Sequence, residues 1–115
     1  MATFSLPHSR RIEVTATTNA SLQQKVEIVG PGVQLEWDGT GEGKRIGQTV
    51  IEFPPLGGDA KVQVKLSHSP AEGKWAPSHE RVTDERAQGE IRVIAEDGRG
   101  ALDGNDLIVR FRWVV

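Results

Sequence analysis

Arg11-Ile12-Glu13-Val14-Thr15-Ala16-Thr17 sets Ile12, Val14 and Ala16 on one side of an extended chain and Arg11, Glu13 and Thr15 on the other. A period of two is what a half-buried β-strand requires, because successive side chains leave opposite faces of the pleat. Downstream, Lys25-Val26-Glu27-Ile28-Val29 repeats the pattern and Gly30-Pro31-Gly32 stops it. Residues 33–37 place Val33, Leu35 and Trp37 inward, and Asp38-Gly39-Thr40-Gly41-Glu42-Gly43 reads as a long turn. Residues 48–53 end at Pro54-Pro55-Leu56-Gly57-Gly58, and 61–66 point Val62, Val64 and Leu66 one way. Ile91-Arg92-Val93-Ile94-Ala95 and residues 107–115 return to strand character. The stretch 67–89 contains Pro70, Pro77 and the charged run Glu80-Arg81-Val82-Thr83-Asp84-Glu85-Arg86, which suits an edge strand or a surface loop. Hardly any stretch carries the apolar stripe of an amphipathic helix. The expected fold is all-β: a two-sheet antiparallel β-sandwich of about nine short strands.

A length of 115 residues fits one domain, 1–115, and allows burial of roughly 65% of the surface the unfolded chain exposes. There is no cysteine, which excludes disulfides, thiolate metal sites and a cysteine nucleophile. A formal charge of -2, from 14 basic and 16 acidic residues, gives no electrostatic footprint for nucleic acid or anionic lipid. Apolar runs are far shorter than the roughly 20 residues that cross a bilayer as a helix, so no membrane insertion is expected. Met1-Ala2-Thr3-Phe4-Ser5-Leu6-Pro7 lacks the features of a signal peptide, so a cytoplasmic or non-classically exported location is the expectation.

Four of the 16 carboxylates fall within Glu96-Asp97-Gly98-Arg99-Gly100-Ala101-Leu102-Asp103-Gly104-Asn105-Asp106. Three glycines and Asn105 share that stretch, so the backbone can turn several oxygen donors toward one centre. Hard cations such as calcium take six to eight oxygens, and a short Gly-rich acidic turn supplies many of them from little chain. The spacing is not that of an EF-hand, and no helices flank it. Ordinary hairpin chemistry is the competing reading, since Asp, Asn and Gly also favour turns for local reasons.

Other residues offer less. His8, His68 and His79 have no zinc-like spacing and read as surface histidines. Ser21 lacks a nucleophile elbow, and Glu96 with Asp106 could be drawn as a glycosidase pair only if one carboxyl were held protonated. No enzyme is expected. Residues 39–43 lack the Lys-Ser/Thr of a phosphate loop. Trp37 and Trp113 fall on inward strand positions, whereas Trp75 suits an exposed anchor.

Taken in order, Phe4-Ser5-Leu6-Pro7, Val14-Thr15-Ala16-Thr17-Thr18-Asn19-Ala20-Ser21, Gly39-Thr40-Gly41, Ile46-Gly47-Gln48-Thr49-Val50, Lys61-Val62-Gln63-Val64-Lys65-Leu66, Glu96-Asp97-Gly98, Asp103-Gly104-Asn105-Asp106 and Phe111-Arg112-Trp113 are similar to the small calcium-mediated fucose- and mannose-binding lectins of bacteria, the family of the second Pseudomonas lectin. The resemblance covers nearly the whole chain and is poorest over 67–89. It implies a nine-stranded sandwich that assembles as a homodimer or homotetramer, with one or two calcium ions whose open positions take sugar hydroxyls directly. Carried over, Glu96 resembles a ligand of one ion, Asp103 and Asp106 ligands bridging both, and Asn105 and Asn19 ligands of the other. Asp97 resembles an acceptor for a sugar hydroxyl. Ala20-Ser21-Leu22 falls where the family has its specificity loop, and Ala20, where a serine accompanies fucose preference, implies mannose.

Two places depart from the family pattern. A further aspartate expected between the Glu-Asp-Gly and Asp-x-Asn-Asp pieces is missing from Arg99-Gly100-Ala101-Leu102, and Arg99 brings a positive charge. The chain also closes on Val114-Val115, where the family's terminal glycine sends its carboxylate into a neighbouring subunit's site; Val115 is the corresponding candidate. Two calcium ions, one, or a lectin-like fold without metal all remain open at this point. The alternative to a glycan-binding lectin is a structural or protein-interaction β-sandwich.

Overall fold

In the computed structural model, residues 1–8, 10–54, 58–71, 74–96 and 107–114 are described, with residues 20, 21, 42, 70, 71 and 96 followed by backbone alone. Among the described residues eight strands form in chain order: β1 (Ala2–Leu6), β2 (Ile12–Gly30), β3 (Val33–Ile51), β4 (Ala60–Ala71), β5 (Lys74–Pro77), β6 (His79–Glu85), β7 (Glu90–Glu96) and β8 (Leu107–Arg112). Arg86–Gln88 makes one 3-10 turn, closed by Gly89 at φ 76°. Every pairing is antiparallel.

The two 19-residue strands explain the architecture. In its first half β2 pairs with β8, from Glu13 opposite Arg112 to Thr18 opposite Leu107. Its second half pairs with β4, from Gln23 opposite Ser69 to Val29 opposite Gln63. Strand β3 follows β2 along both halves. One hydrogen-bonded network is thus folded over itself into two five-stranded layers, β3-β2-β8-β7-β6 and β3-β2-β4 with β1 and β5 sharing the far side of β4. The sandwich follows the expectation. The stretches read as separate short strands at 11–17 and 25–29 are the two halves of β2, and those at 33–37 and 48–53 fall largely on the two halves of β3.

The long turn expected at 38–43 does not form, because these residues run inside β3. Gly41 and Gly43 adopt φ of 125° and 61°, conformations that side-chain-bearing residues avoid, so the strand bends round the corner while Ala20 still faces Gly41. The actual β2-β3 turn is Pro31-Gly32, where Gly32 at φ 70° meets the requirement of a type II turn. The ambiguous stretch 67–89 is mainly strand: the end of β4, then β5, then β6 at the edge of the first layer.

Alternation survives the fold in both halves of β2: Ile12, Val14, Ala16, Val26 and Ile28 are all fully buried. They meet Val62, Val64 and Leu66 of β4, Ile91 and Val93 of β7, and Val109 and Phe111 of β8 in one core. Each fully buried aliphatic side chain contributes about 1.5–3 kcal/mol of transfer free energy. Phe4 meets Phe111 edge-on across the layers, with centroids 5.3 Å apart. Trp37 and Trp113 pack against this core, as their strand positions predict. Trp75 is 39% exposed, with Lys25 Nζ 4.6 Å from its ring centre. On the outer face of the first layer, the Glu90 carboxylate lies 3.1 to 3.6 Å from the guanidinium groups of Arg110, Arg92 and Arg112.

Candidate functional site

Strand register decides which candidate residues share an end of the sandwich. Thr18 on β2 faces Leu107 on β8, and Leu107 also faces Ala95 on β7. One residue further along, Asn19 leaves Thr18 and Glu96 leaves Ala95. Neighbouring strands lie about 4.8 Å apart, so the backbones of Asn19, Glu96 and Leu107 occupy three adjacent strands at one end. Glu96 and Leu107 are the residues that bracket the acidic stretch. On the far side of β7, His79 of β6 faces Glu96.

Asn19 is the predicted metal ligand whose side chain is described. Its Oδ1 accepts the backbone N–H of Gly43 at 2.6 Å. A backbone donor identifies that atom as the carboxamide oxygen and fixes the side chain's orientation. Glu96, Ala20 and Ser21 are placed by backbone alone, the first at the end of β7 and the other two on β2 immediately after Asn19. Asp97, Asp103, Asn105, Asp106 and Val115 lie outside the described residues.

Val114, the residue before the C-terminal candidate, lies elsewhere within one chain. Trp113 donates its N–H to the Gly89 carbonyl at 2.9 Å, and the Val114 carbonyl accepts Arg10 Nη1 at 3.0 Å. Both contacts are at the end of β8 opposite Leu107. A single chain therefore does not carry Val114 toward Asn19.

After Asn19, β2 loses register with β3. Between the pairs Ala20 with Gly41 and Gln24 with Gly39, three residues of β2 stand opposite Thr40 alone. This arch, Ser21-Leu22-Gln23, is tied at several points. The Leu22 carbonyl accepts Gln24 Nε2 at 3.1 Å and Thr40 Oγ1 at 3.3 Å, and Gln23 Nε2 donates to Asp38 Oδ1 at 3.4 Å. Gln24 is fully buried. Sequence reading did not single out Gly43, Thr40 or Gln24. The available signal was the glycine spacing at 39, 41 and 43, which marks close backbone approach as readily as a turn.

Among the described residues, no group of three or more His, Asp or Glu is placed to hold a metal. His68 instead makes a 2.9 Å hydrogen bond between Nδ1 and Ser78 Oγ. The candidate donors, Asn19 and Glu96 on strands at the β2-β8-β7 end and the acidic residues that follow Glu96 in sequence, offer carboxylate and carboxamide oxygen, with no cysteine in the chain. That chemistry fits a hard cation such as calcium.

The family model described as fucose-binding lectin II (PA-IIL) matches residues 4–115. Among solved structures, the Ralstonia solanacearum high-affinity mannose-binding lectin is similar at 26% identity and a TM-score of 0.72, covering 98% of this chain and 96% of that one. The Chromobacterium violaceum lectin CV2L, solved with α-methyl-fucoside, is 25% identical with a TM-score of 0.71 and the same coverages. The C-terminal domain of the BC2L-C lectin from Burkholderia cenocepacia is 25% identical with a TM-score of 0.68, covering 98% of this chain and 95% of that one. No curated protein sequence matches the chain. The similar structures are lectins, which bind sugars without transforming them, so the glycosidase reading of Glu96 and Asp106 is set aside.

Proposed function

Because the chain belongs to the fucose-binding lectin II family, we propose that it binds mannose-like or fucose-like monosaccharides at glycan ends, in a calcium-dependent manner. The observation that carries this reading is the shared end of β2, β8 and β7, where Asn19 and the strand ends bracketing the acidic stretch come together.

In this reading Asn19, Glu96, Asp103, Asn105 and Asp106 hold one or two calcium ions. When bound, calcium supplies coordination positions at which a vicinal diol replaces two waters at little cost. The chain's own groups then set orientation. Asp97 accepts a hydrogen bond from a sugar hydroxyl, Ala20 and Ser21 lie beside the sugar, and Ala20 favours mannose. The Val115 carboxylate comes from a second copy, since Val114 sits at the other end of β8 from Asn19. That requirement favours a homodimer or homotetramer, and linked sites add avidity on a multivalent glycan surface.

The competing structural or protein-interaction reading separates in one experiment. Methyl α-mannoside and methyl α-fucoside are titrated calorimetrically with calcium and again with chelator. Heat only with calcium supports the lectin; heat under neither condition leaves the structural sandwich standing.

A further inference from the structure

The Leu22 carbonyl collects two side-chain donors, one from each strand of the hairpin. Gln24 Nε2 reaches it at 3.1 Å from within β2 and Thr40 Oγ1 from across the strand pair at 3.3 Å. Both bonds hold the three-residue arch that follows Ala20, where β2 carries three residues against one of β3. We infer that Gln24 and Thr40 are positioning residues that set the mannoside-to-fucoside preference of the adjoining site, without touching the sugar themselves.

Gln24 is an expensive residue for a core. It is fully buried, and among the described residues its Oε1 has no hydrogen-bond partner. Leucine would fill similar space without an orphaned acceptor, so packing alone gives no reason for a glutamine here. What glutamine adds is the Nε2 donor on Leu22. Thr40, exposed and facing the arch, adds the second donor where a valine of the same shape would not.

The chemistry of discrimination explains why position matters. Mannosides carry a hydroxymethyl group where fucosides carry a methyl, so an element beside the sugar distinguishes them by whether a polar partner lies within reach. A hydrogen bond weakens steeply with misplacement, and losing it costs only the sugar that uses it. Holding Leu22 therefore fixes a difference between two affinities rather than a common affinity.

This inference rests on the calcium-lectin reading, and its test separates the two. Affinities for methyl α-mannoside and methyl α-fucoside are measured in calcium for the full chain and for Gln24→Leu, Thr40→Val and Thr40→Ser. Amide exchange at Leu22 and Gln23 is followed in calcium-free protein. Gln24→Leu and Thr40→Val should each change the affinity ratio by about three- to tenfold, the effect of one ordinary hydrogen bond, and speed arch exchange. Thr40→Ser keeps the hydroxyl and should keep the parent ratio. Gln24→Leu should not lower the melting temperature, because it also removes the orphaned acceptor. If Gln24→Leu fails to fold, the exposed Thr40 pair carries the test. An unchanged ratio, or an equal loss for both sugars, overturns the positioning role alone. Binding of neither sugar by the parent protein overturns the lectin reading and this inference with it.

Discussion

The Trp37 indole lies against the backbone of Gly47, although both belong to β3 and sit in different layers of the sandwich. A Cβ on Gly47 would overlap the ring, and one on Gly39 would overlap Ile46 in the same way. Ile46 is the extra residue of a bulge, between the pairs Ala16 with Gly47 and Thr17 with Arg45. Each half of β3 thus offers a glycine to a large side chain of the other half, and this lets one strand serve both layers. Gly47→Ala is expected to destabilise the fold by about 1–3 kcal/mol through overpacking. Urea unfolding should show a lower midpoint with an unchanged slope; an unchanged midpoint would mean that the indole has room to move aside.

Glu80 joins the edge of the first layer to the second. Its Oε1 accepts the Leu66 N–H at 2.7 Å, and its Oε2 lies 2.9 Å from the Met1 ammonium, in a charge contact rather than an aligned hydrogen bond. The carboxylate is only 6% exposed. Glu80→Ala leaves a buried backbone N–H without its acceptor, which costs about 1–3 kcal/mol. Glu80→Gln keeps an acceptor for Leu66 and should lose less. Thermal unfolding of the pair tests the order, and equal losses would assign the effect to the ammonium contact instead.

Much of this architecture is legible in the sequence because a two-residue period reports burial directly. Ile12, Val14, Ala16, Val26 and Ile28 are inward both by pattern and in the fold. Continuity between the halves of β2 was not legible, because nothing in Thr18-Asn19-Ala20-Ser21-Leu22 says whether the chain turns back or bulges and runs on. The glycines at 39, 41 and 43 misled for a related reason: positive φ serves a bent strand as well as a turn. For the candidate site, clustered oxygen donors can be read from composition. The alignment of Asn19 with the ends of β7 and β8 depends on antiparallel register across residues far apart in the chain. Gln24 was invisible for a different reason, since one polar letter in a strand does not reveal that it is buried.

Acid should act on Asp84. The Arg86 backbone N–H at 3.0 Å is the main cause holding its carboxyl below the ordinary carboxylate range; desolvation opposes it, and the Arg86 guanidinium adds to the lowering. A depressed folded-state value means that this contribution is present above the unfolded-state value of about 3.9 and disappears as pH falls through the folded one. Asp84→Asn should therefore melt slightly below the parent near neutral pH and converge with it as pH falls below the folded-state value. An offset that stays constant with pH would trace the difference to something other than this titration.

Calcium provides the most direct check of the proposed site. An ion that binds only the folded chain stabilises it by about 2.7 kcal/mol at a hundredfold excess over its dissociation constant, so millimolar calcium should raise the melting temperature and chelator should reverse the rise. Asp103→Ala removes a carboxylate from the proposed set and should abolish both the shift and sugar binding, while leaving the calcium-free melt unchanged. Asn19→Ala should remove less of the calcium shift, because it takes away a neutral oxygen, but it should also lower the calcium-free melt by releasing the Gly43 N–H. The two variants therefore separate metal holding from strand holding at one end of the sandwich. Full sugar binding by Asp103→Ala, or no calcium-dependent shift together with no metal by elemental analysis, would remove calcium from the account and leave the fold to bind by some other means.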